Sequence, residues 1–286
     1  MSNLKIFIEL TRLNRPIGYM LLFWPCSWGL AYAYNSNQNL SLFFYYLILF
    51  FLGSVLMRSA GCIFNDIVDK DFDKKVNRTK KRPIAAGKIS IKQSFLYVII
   101  LCFLAFLILI QFNILTIILG LGSMVLAFSY PFMKRITYWP QLFLGITFNW
   151  GAVMAYCAVY EAVTLEILIL YTAAIFWTLG YDTIYGAQDM SDDEIIGLKS
   201  TAIKFKKNIK LFVGVSYFLT ILMTLYLFKN YIGVYIFTLF FLLFSLSLFY
   251  QLIFLKKHQP KSCLKMFKFN NYTGLIFFLN ILSINL

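Results

Sequence analysis

Nine long apolar runs separated by short polar loops make up most of this sequence: 16–34, 41–64, 94–111, 113–130, 141–160, 165–181, 211–228, 232–255 and 271–286. A membrane-spanning helix takes roughly 17–25 mostly apolar residues, so each run is long enough, or nearly so, to cross a bilayer. Only helices and closed barrels satisfy their backbone polar groups there, and unbroken apolar runs of this length fit helices. Composition agrees: 60% of residues are hydrophobic and 13% charged, against about 25% charged in soluble domains. The expectation is one all-α polytopic membrane domain, residues 1–286, with nine transmembrane helices. The opening stretch MSNLKIFIELTRLNRPIGYM lacks the layout of a cleaved signal peptide, so the first run is expected to remain as a span.

The charges predict an orientation. Of 26 Lys and Arg, three precede the first span, nine lie in 65–93, two in 131–140, five in 182–210 and five in 256–270. The alternate loops hold only Lys229, and Arg58 alone sits inside a span. The positive-inside rule then places the N-terminus and the basic loops in the cytoplasm of a bacterial inner membrane, with the C-terminus outside. The net charge of +14 reads as topology and attraction to anionic lipid, not as a nucleic-acid surface. The five cysteines have no metal or disulfide spacing, and the single histidine, His258, lies in the lysine-rich loop LKKHQPK. A mechanism here has no evident histidine base.

Against this background, NDIVDKDFD (Asn65–Asp73) places four aspartates at the mouth of the second span. On a helical wheel with Asn65 at zero, Asp69, Asp73 and Asp66 fall at about 40°, 80° and 100°, and Arg58 at about 20°, whereas Asp71 points away. The same drawing aligns Asp182, Asp189 and Asp193 in YDTIYGAQDMSDD, with Tyr185 close by, at the cytoplasmic end of the sixth span. Two like charges 4 Å apart repel by about 4 kcal/mol at an effective dielectric of 20. Facing acid stripes therefore call for a cation between them. Carboxylate and asparagine oxygens are hard ligands suited to Mg²⁺ or Ca²⁺, and Mg²⁺ commonly completes its shell with water and substrate phosphate. The arrangement reads as a diphosphate clamp. Arg78, Arg82, Lys134, Arg135 and Lys199 sit in loops at the same surface, suited to phosphate or carboxylate oxygens.

These motifs resemble the UbiA superfamily of intramembrane aromatic prenyltransferases. NDIVDKDFD has the form NDxxDxxxD and YDTIYGAQDMSDD the form YDxxYxxxDxxxD. RPIGYMLLFWPCSWGL, LMRSAGCIFND, RTKKRPIAAGKIS, YPFMKRITYWPQ and GLKST occur in order, and the similarity runs over nearly the whole chain. Gly186 stands where alanine is expected, a small-for-small change. The loops are most similar to members that act on 4-hydroxybenzoate in bacterial ubiquinone biosynthesis. The resemblance implies a central cavity open to the bilayer. Asn65, Asp66, Asp69, Asp73, Asp182, Asp189 and Asp193 would hold Mg²⁺ and the diphosphate of a polyprenyl diphosphate. The prenyl chain would join the ring carbon ortho to the hydroxyl. Asp69, Asp73, Asp189 and Asp193 would flank the chemistry, with Tyr185 orienting a phosphate oxygen. For the acceptor carboxylate, Arg135 is preferred over Arg58. Rival readings are a sister prenyltransferase with a menaquinone, haem or tocopherol-type acceptor, or a divalent-cation transporter. A CDP-alcohol phosphotransferase would need DG and AR elements that this stretch lacks.

Overall fold

A computed structural model describes residues 3–76 and 79–285. Thirteen α-helices and two short 3₁₀ turns account for its regular structure, and no strand occurs among the described residues. A short amphipathic α1 (Asn3–Thr11) precedes α2 (Ile17–Asn37) and α3 (Leu40–Val68), and α4 (Lys70–Asp73) continues from α3. Then come α5 (Ile91–Leu109), α6 (Ile114–Ile136), α7 (Pro140–Tyr160) and α8 (Leu165–Gly186), followed by the short α9 (Met190–Ile195) and α10 (Thr201–Lys204). The chain closes with α11 (Ile209–Leu227), α12 (Tyr235–Phe254) and α13 (Pro260–Leu282).

Seven of these, α3, α5, α6, α7, α8, α11 and α12, are long and apolar enough to cross a membrane. The chain is a membrane protein. The expected first and ninth spans correspond to α2 and α13, which are as long but less hydropathic. The ninth run was expected at 271–286, yet α13 begins at Pro260. Its first turns, KSCLKMFKF, alternate lysine with apolar residues, so hydropathy alone sees only the later half.

Neighbouring helices form a ring in the order α2, α3, α5, then α6, α7, α8, α11, α12 and α13, which returns to α2. The closest pairing is α2 with α7, where a side chain on Gly29 would strike the Ala152 carbonyl. Small residues permit such backbone approach, which matters in lipid because apolar burial no longer drives helices together. α13 is held by polar bonds. The Trp177 indole donates to Asn270 Oδ1 (2.8 Å), the Asn270 amide donates to Gln251 Oε1 (2.9 Å), and the Tyr217 hydroxyl donates to the same oxygen (2.7 Å). The Gln251 amide also donates to Thr273 (3.2 Å). This network ties α8, α11, α12 and α13 together and satisfies groups that would be costly in hydrocarbon.

Candidate active site

The first acid stripe is built where α3 ends. Val68 is the last residue of α3, and Asp69 leaves helical geometry at φ −92°, ψ 5° before α4 resumes. The backbone still passes hydrogen bonds through the break, from Asp69 N–H to Asn65 (2.9 Å) and from Asp73 N–H to Asp69 (2.8 Å). The helical wheel therefore holds across it. Asp66, Asp69 and Asp73 are all buried, whereas the Asp71 side chain is 83% exposed and paired with Lys74. Asn65 is half-buried and faces the same cavity as the three buried acids.

Buried carboxylates need partners, and each has one. Asp66 Oδ1 accepts from Arg12 (2.6 Å) and Arg82 (3.0 Å), and Arg82 also donates to Asp73 Oδ2 (2.8 Å). Asp69 is paired with Lys134 through Oδ2 and lies 3.3 Å from Arg135 through Oδ1. Burial pushes the Asp73 carboxyl up from its ordinary value, against the pull of Arg82. Arg12 went unnoticed in the sequence except as a topology charge. Its partner lies 54 residues away and no local pattern links them.

The second stripe departs from the single helix expected for it. α8 ends at Gly186, a turn covers 187–189, and α9 starts at Met190. Asp182 is buried on the last turn of α8, and Asp189 and Asp193 are half-buried on and after the turn. All three still line the same cavity as the first stripe. Tyr185 does too, its ring 4.5 Å from that of Phe267 on α13.

That cavity has a volume of ≈ 1490 Å³. The acids occupy one end, with Arg12, Arg58, Arg82, Lys134 and Lys199 around them. Lys134 and Arg135 were expected in a loop, but α6 runs on through Pro131 to Ile136 and carries both on its last turn. The GLKST loop docks beside them: Lys199 N–H donates to the Lys134 carbonyl (2.8 Å), and Lys199 Nζ to the Ile136 carbonyl (3.1 Å). Ser200 caps α10, and Thr201 fastens the loop to Gln141 (2.9 Å) and Thr183 (2.6 Å). Arg78 lies outside the described residues.

The two arginines considered for the acceptor part ways. Arg135 does not line the cavity. Its guanidinium lies over Phe72 (4.8 Å) and Phe132 (5.7 Å) and donates to the Val68 carbonyl (2.8 Å), behind Asp69. Arg135, preferred in the sequence for the acceptor carboxylate, thus lies behind Asp69: adjacent residues on one helical turn face different ways, and Lys134 takes the inward direction. Arg58 lines the cavity. It lies over the Phe148 ring (5.2 Å), and its Nε, buried, has no hydrogen-bond partner among the described residues, which is true of the Arg135 Nε as well. On α2, a Cβ on Gly18 would come 2.9 Å from that Nε, so glycine there leaves the space the guanidinium fills.

The residues present suit a hard divalent cation, since six carboxylates and one amide oxygen line a single cavity end. Among the described residues no three acidic, cysteine or histidine side chains are gathered into a cage.

Comparison with known proteins agrees with this geometry. A 4-hydroxybenzoate octaprenyltransferase of Photobacterium profundum is 40% identical over 282 residues, covering 98% of this chain and 96% of that one. The mitochondrial 4-hydroxybenzoate polyprenyltransferase of Caenorhabditis elegans is 47% identical over 209 residues, 73% of this chain, which spans 58% of that protein's length. A UbiA homolog from Archaeoglobus fulgidus bound to GPP and Mg²⁺ has the same fold, with a TM-score of 0.67 at 18% identity over 98% of this chain and 99% of that one. The model of the UbiA prenyltransferase family matches residues 22–282, and the chain belongs to that family.

Proposed function

We propose that the protein transfers a polyprenyl chain from polyprenyl diphosphate to the ring carbon ortho to the hydroxyl of 4-hydroxybenzoate, a step of ubiquinone biosynthesis in a bacterial inner membrane. The observation that carries this reading is the single cavity: two acid stripes and a set of cations at one end, an apolar wall beyond them. A diphosphate on a long hydrocarbon matches both halves. The full-length likeness to a bacterial octaprenyltransferase supports the acceptor class. The N-terminus and the site-bearing loops face the cytoplasm and the C-terminus lies outside, as the lysine and arginine distribution favours.

Asn65, Asp66, Asp69, Asp73, Asp182, Asp189 and Asp193 are the residues that would hold Mg²⁺. Bound there, the ion would neutralise charge that builds on the departing diphosphate. Arg82, Lys134 and Lys199 line the same end and present donors to phosphate oxygens. Arg78 belongs to the same basic run and is proposed for the same role. Tyr185 orients a phosphate oxygen from the opposite stripe. Scission of the allylic carbon–oxygen bond leaves a carbocation, which the acceptor ring attacks, and the new carbon–carbon bond is completed by loss of the ring proton. The released diphosphate or a stripe carboxylate takes that proton, since no histidine lines the cavity.

Arg58 holds the acceptor carboxylate. It is a cation at membrane depth with a planar donor fork, held between Gly18 and the Phe148 ring and facing the cavity. A guanidinium binds a carboxylate bidentately and stays charged when buried. The test is direct: purified protein with Mg²⁺, labelled geranyl or octaprenyl diphosphate, and a panel of aromatic acids and quinone precursors. Label should enter 4-hydroxybenzoate in preference to the others. Label entering a naphthoate or a haem, with 4-hydroxybenzoate unreacted, overturns the acceptor assignment.

A further inference from the structure

Gln141 stands in the first turn of α7, directly after Pro140, and is only 6% exposed. A primary amide placed so deep has an acceptor oxygen and two N–H donors to satisfy. The oxygen is accounted for, because Oε1 accepts the Thr201 N–H at the start of α10 (2.9 Å). That bond also fixes which way the amide faces, since only its oxygen can meet an N–H. Nε2 is thereby turned the other way, where it donates to no group among the described residues.

The glycine that ends α8 shows where that nitrogen lies. A Cβ on Gly186 would come 3.2 Å from Nε2, so the amide rests against α8 one residue beyond Tyr185 and three before Asp189. Gln141, Tyr185, Gly186 and Asp189 all line the cavity. The cations around the first stripe are committed to carboxylates: Arg12 and Arg82 to Asp66, Arg82 also to Asp73, and Lys134 to Asp69. The Gln141 amide is not, and the stripe carboxylates leave its N–H groups untaken. Two uncommitted donors, buried beside the second stripe, fit an anionic oxygen that the substrate brings. The start of α7 adds the partial positive charge of a helix N-terminus in the same place.

We propose that Gln141 is a diphosphate-binding residue: its side-chain amide donates to a non-bridging oxygen of the donor's diphosphate on the side of the second acid stripe, while its carbonyl holds the GLKST loop. The proposal rests on the prenyltransferase reading for the presence of a diphosphate. A neutral amide adds a hydrogen bond there without forming an ion pair with the carboxylates, so it leaves them free for a divalent cation. One side chain thus joins the phosphate end of the cavity to the loop that carries Lys199.

A latch for the loop would need Oε1 alone, and two substitutions separate latch from ligand. Gln141→Glu keeps an oxygen for the Thr201 N–H and turns a carboxylate oxygen towards the diphosphate. Gln141→Met keeps the volume and loses both the oxygen and the donors. Binding is read by calorimetric titration of the detergent-solubilised protein with geranyl thiolodiphosphate, an unreactive donor analogue, in Mg²⁺ and without acceptor. Stability is read by thermal unfolding of the same samples. Gln141→Met should weaken analogue binding at least about tenfold, the loss expected for one hydrogen bond to a charged oxygen. Gln141→Glu should weaken it further, yet melt closer to the unmodified protein than Gln141→Met does. This crossed order supports the proposal, because a purely structural role makes methionine the worse variant in both measurements. Methionine worse in both, or unchanged binding in either variant, overturns it. Failure of the unmodified protein to bind the analogue would overturn the diphosphate reading and the proposal together. Binding without transfer to 4-hydroxybenzoate would count against the acceptor assignment alone, since the variants are compared without acceptor.

Discussion

Replacing Arg58 by lysine keeps the charge and removes the planar fork. In the structure the guanidinium is held on one side by the Phe148 ring at 5.2 Å and on the other by Gly18, whose missing Cβ would come within 2.9 Å of Nε. A lysine has no flat face to fill that slot and offers a point charge instead of two parallel donors. Hydrogen bonds to charged groups contribute about 1.5–3 kcal/mol each. Losing one of a bidentate pair should therefore raise the Michaelis constant for 4-hydroxybenzoate by about 10- to 150-fold, at about 1.4 kcal/mol per factor of ten. The donor constant should move by less than about threefold, because Arg82, Lys134 and Lys199 remain in place. Gly18→Ala should produce a weaker version of the same split, by pushing the guanidinium out of register. Arg135→Lys is the matched control, since Arg135 lies behind Asp69 and outside the cavity. Steady-state assays with each substrate varied separately, on protein checked for thermal stability in detergent, give the answer. A rise in the donor constant alone for Arg58→Lys, or a larger acceptor effect from Arg135→Lys, would show that the carboxylate is held elsewhere.

Asp189→Asn should abolish transfer and weaken Mn²⁺ binding, followed by electron paramagnetic resonance, with little loss of stability; unchanged Mn²⁺ binding would remove Asp189 from the metal set. Asp69→Asn should abolish transfer and also destabilise, because Lys134 and Arg135 lose a fully buried counter-charge, an effect of about 3–5 kcal/mol for a broken buried pair; Asp71→Asn, on the exposed side, should be mild in both assays. Gln251→Leu should lower thermal stability in detergent by roughly 1–3 kcal/mol without a direct effect on substrate constants, since it leaves Tyr217, Asn270 and Thr273 short of partners; an unchanged melting temperature would mean the network is not what holds α13. Cysteines introduced near Ser36 and Glu161 should react with an impermeant reagent from outside, and those near Lys80 and Lys206 only from the cytoplasm; labelling of Lys80 from outside would reverse the topology.

Some of this protein is legible from a single chain because the information is local. Apolar runs mark helices because a bilayer tolerates no unpaired backbone, and lysine and arginine in alternate loops suggest an orientation. The burial of Asp66, Asp69 and Asp73, with Asp71 outside, follows from 100° per residue, and a one-residue break at Asp69 did not disturb it because the backbone bonds carry across. The second stripe escaped the same drawing at Ala187, where one helix gives way to another, yet its three acids still reach the cavity. Tertiary structure alone decided what depends on neighbours. Arg12 meets Asp66 across 54 residues of sequence. Lysine-rich turns continue α13 because Asn270 and Thr273 find partners on α8 and α12. Lys134 and Arg135 are adjacent in sequence, and only the packing of α6 against α3 and α7 turns the first into the cavity and the second behind Asp69. Helical period states which residues share a face; which face looks inward is set by the helices around it.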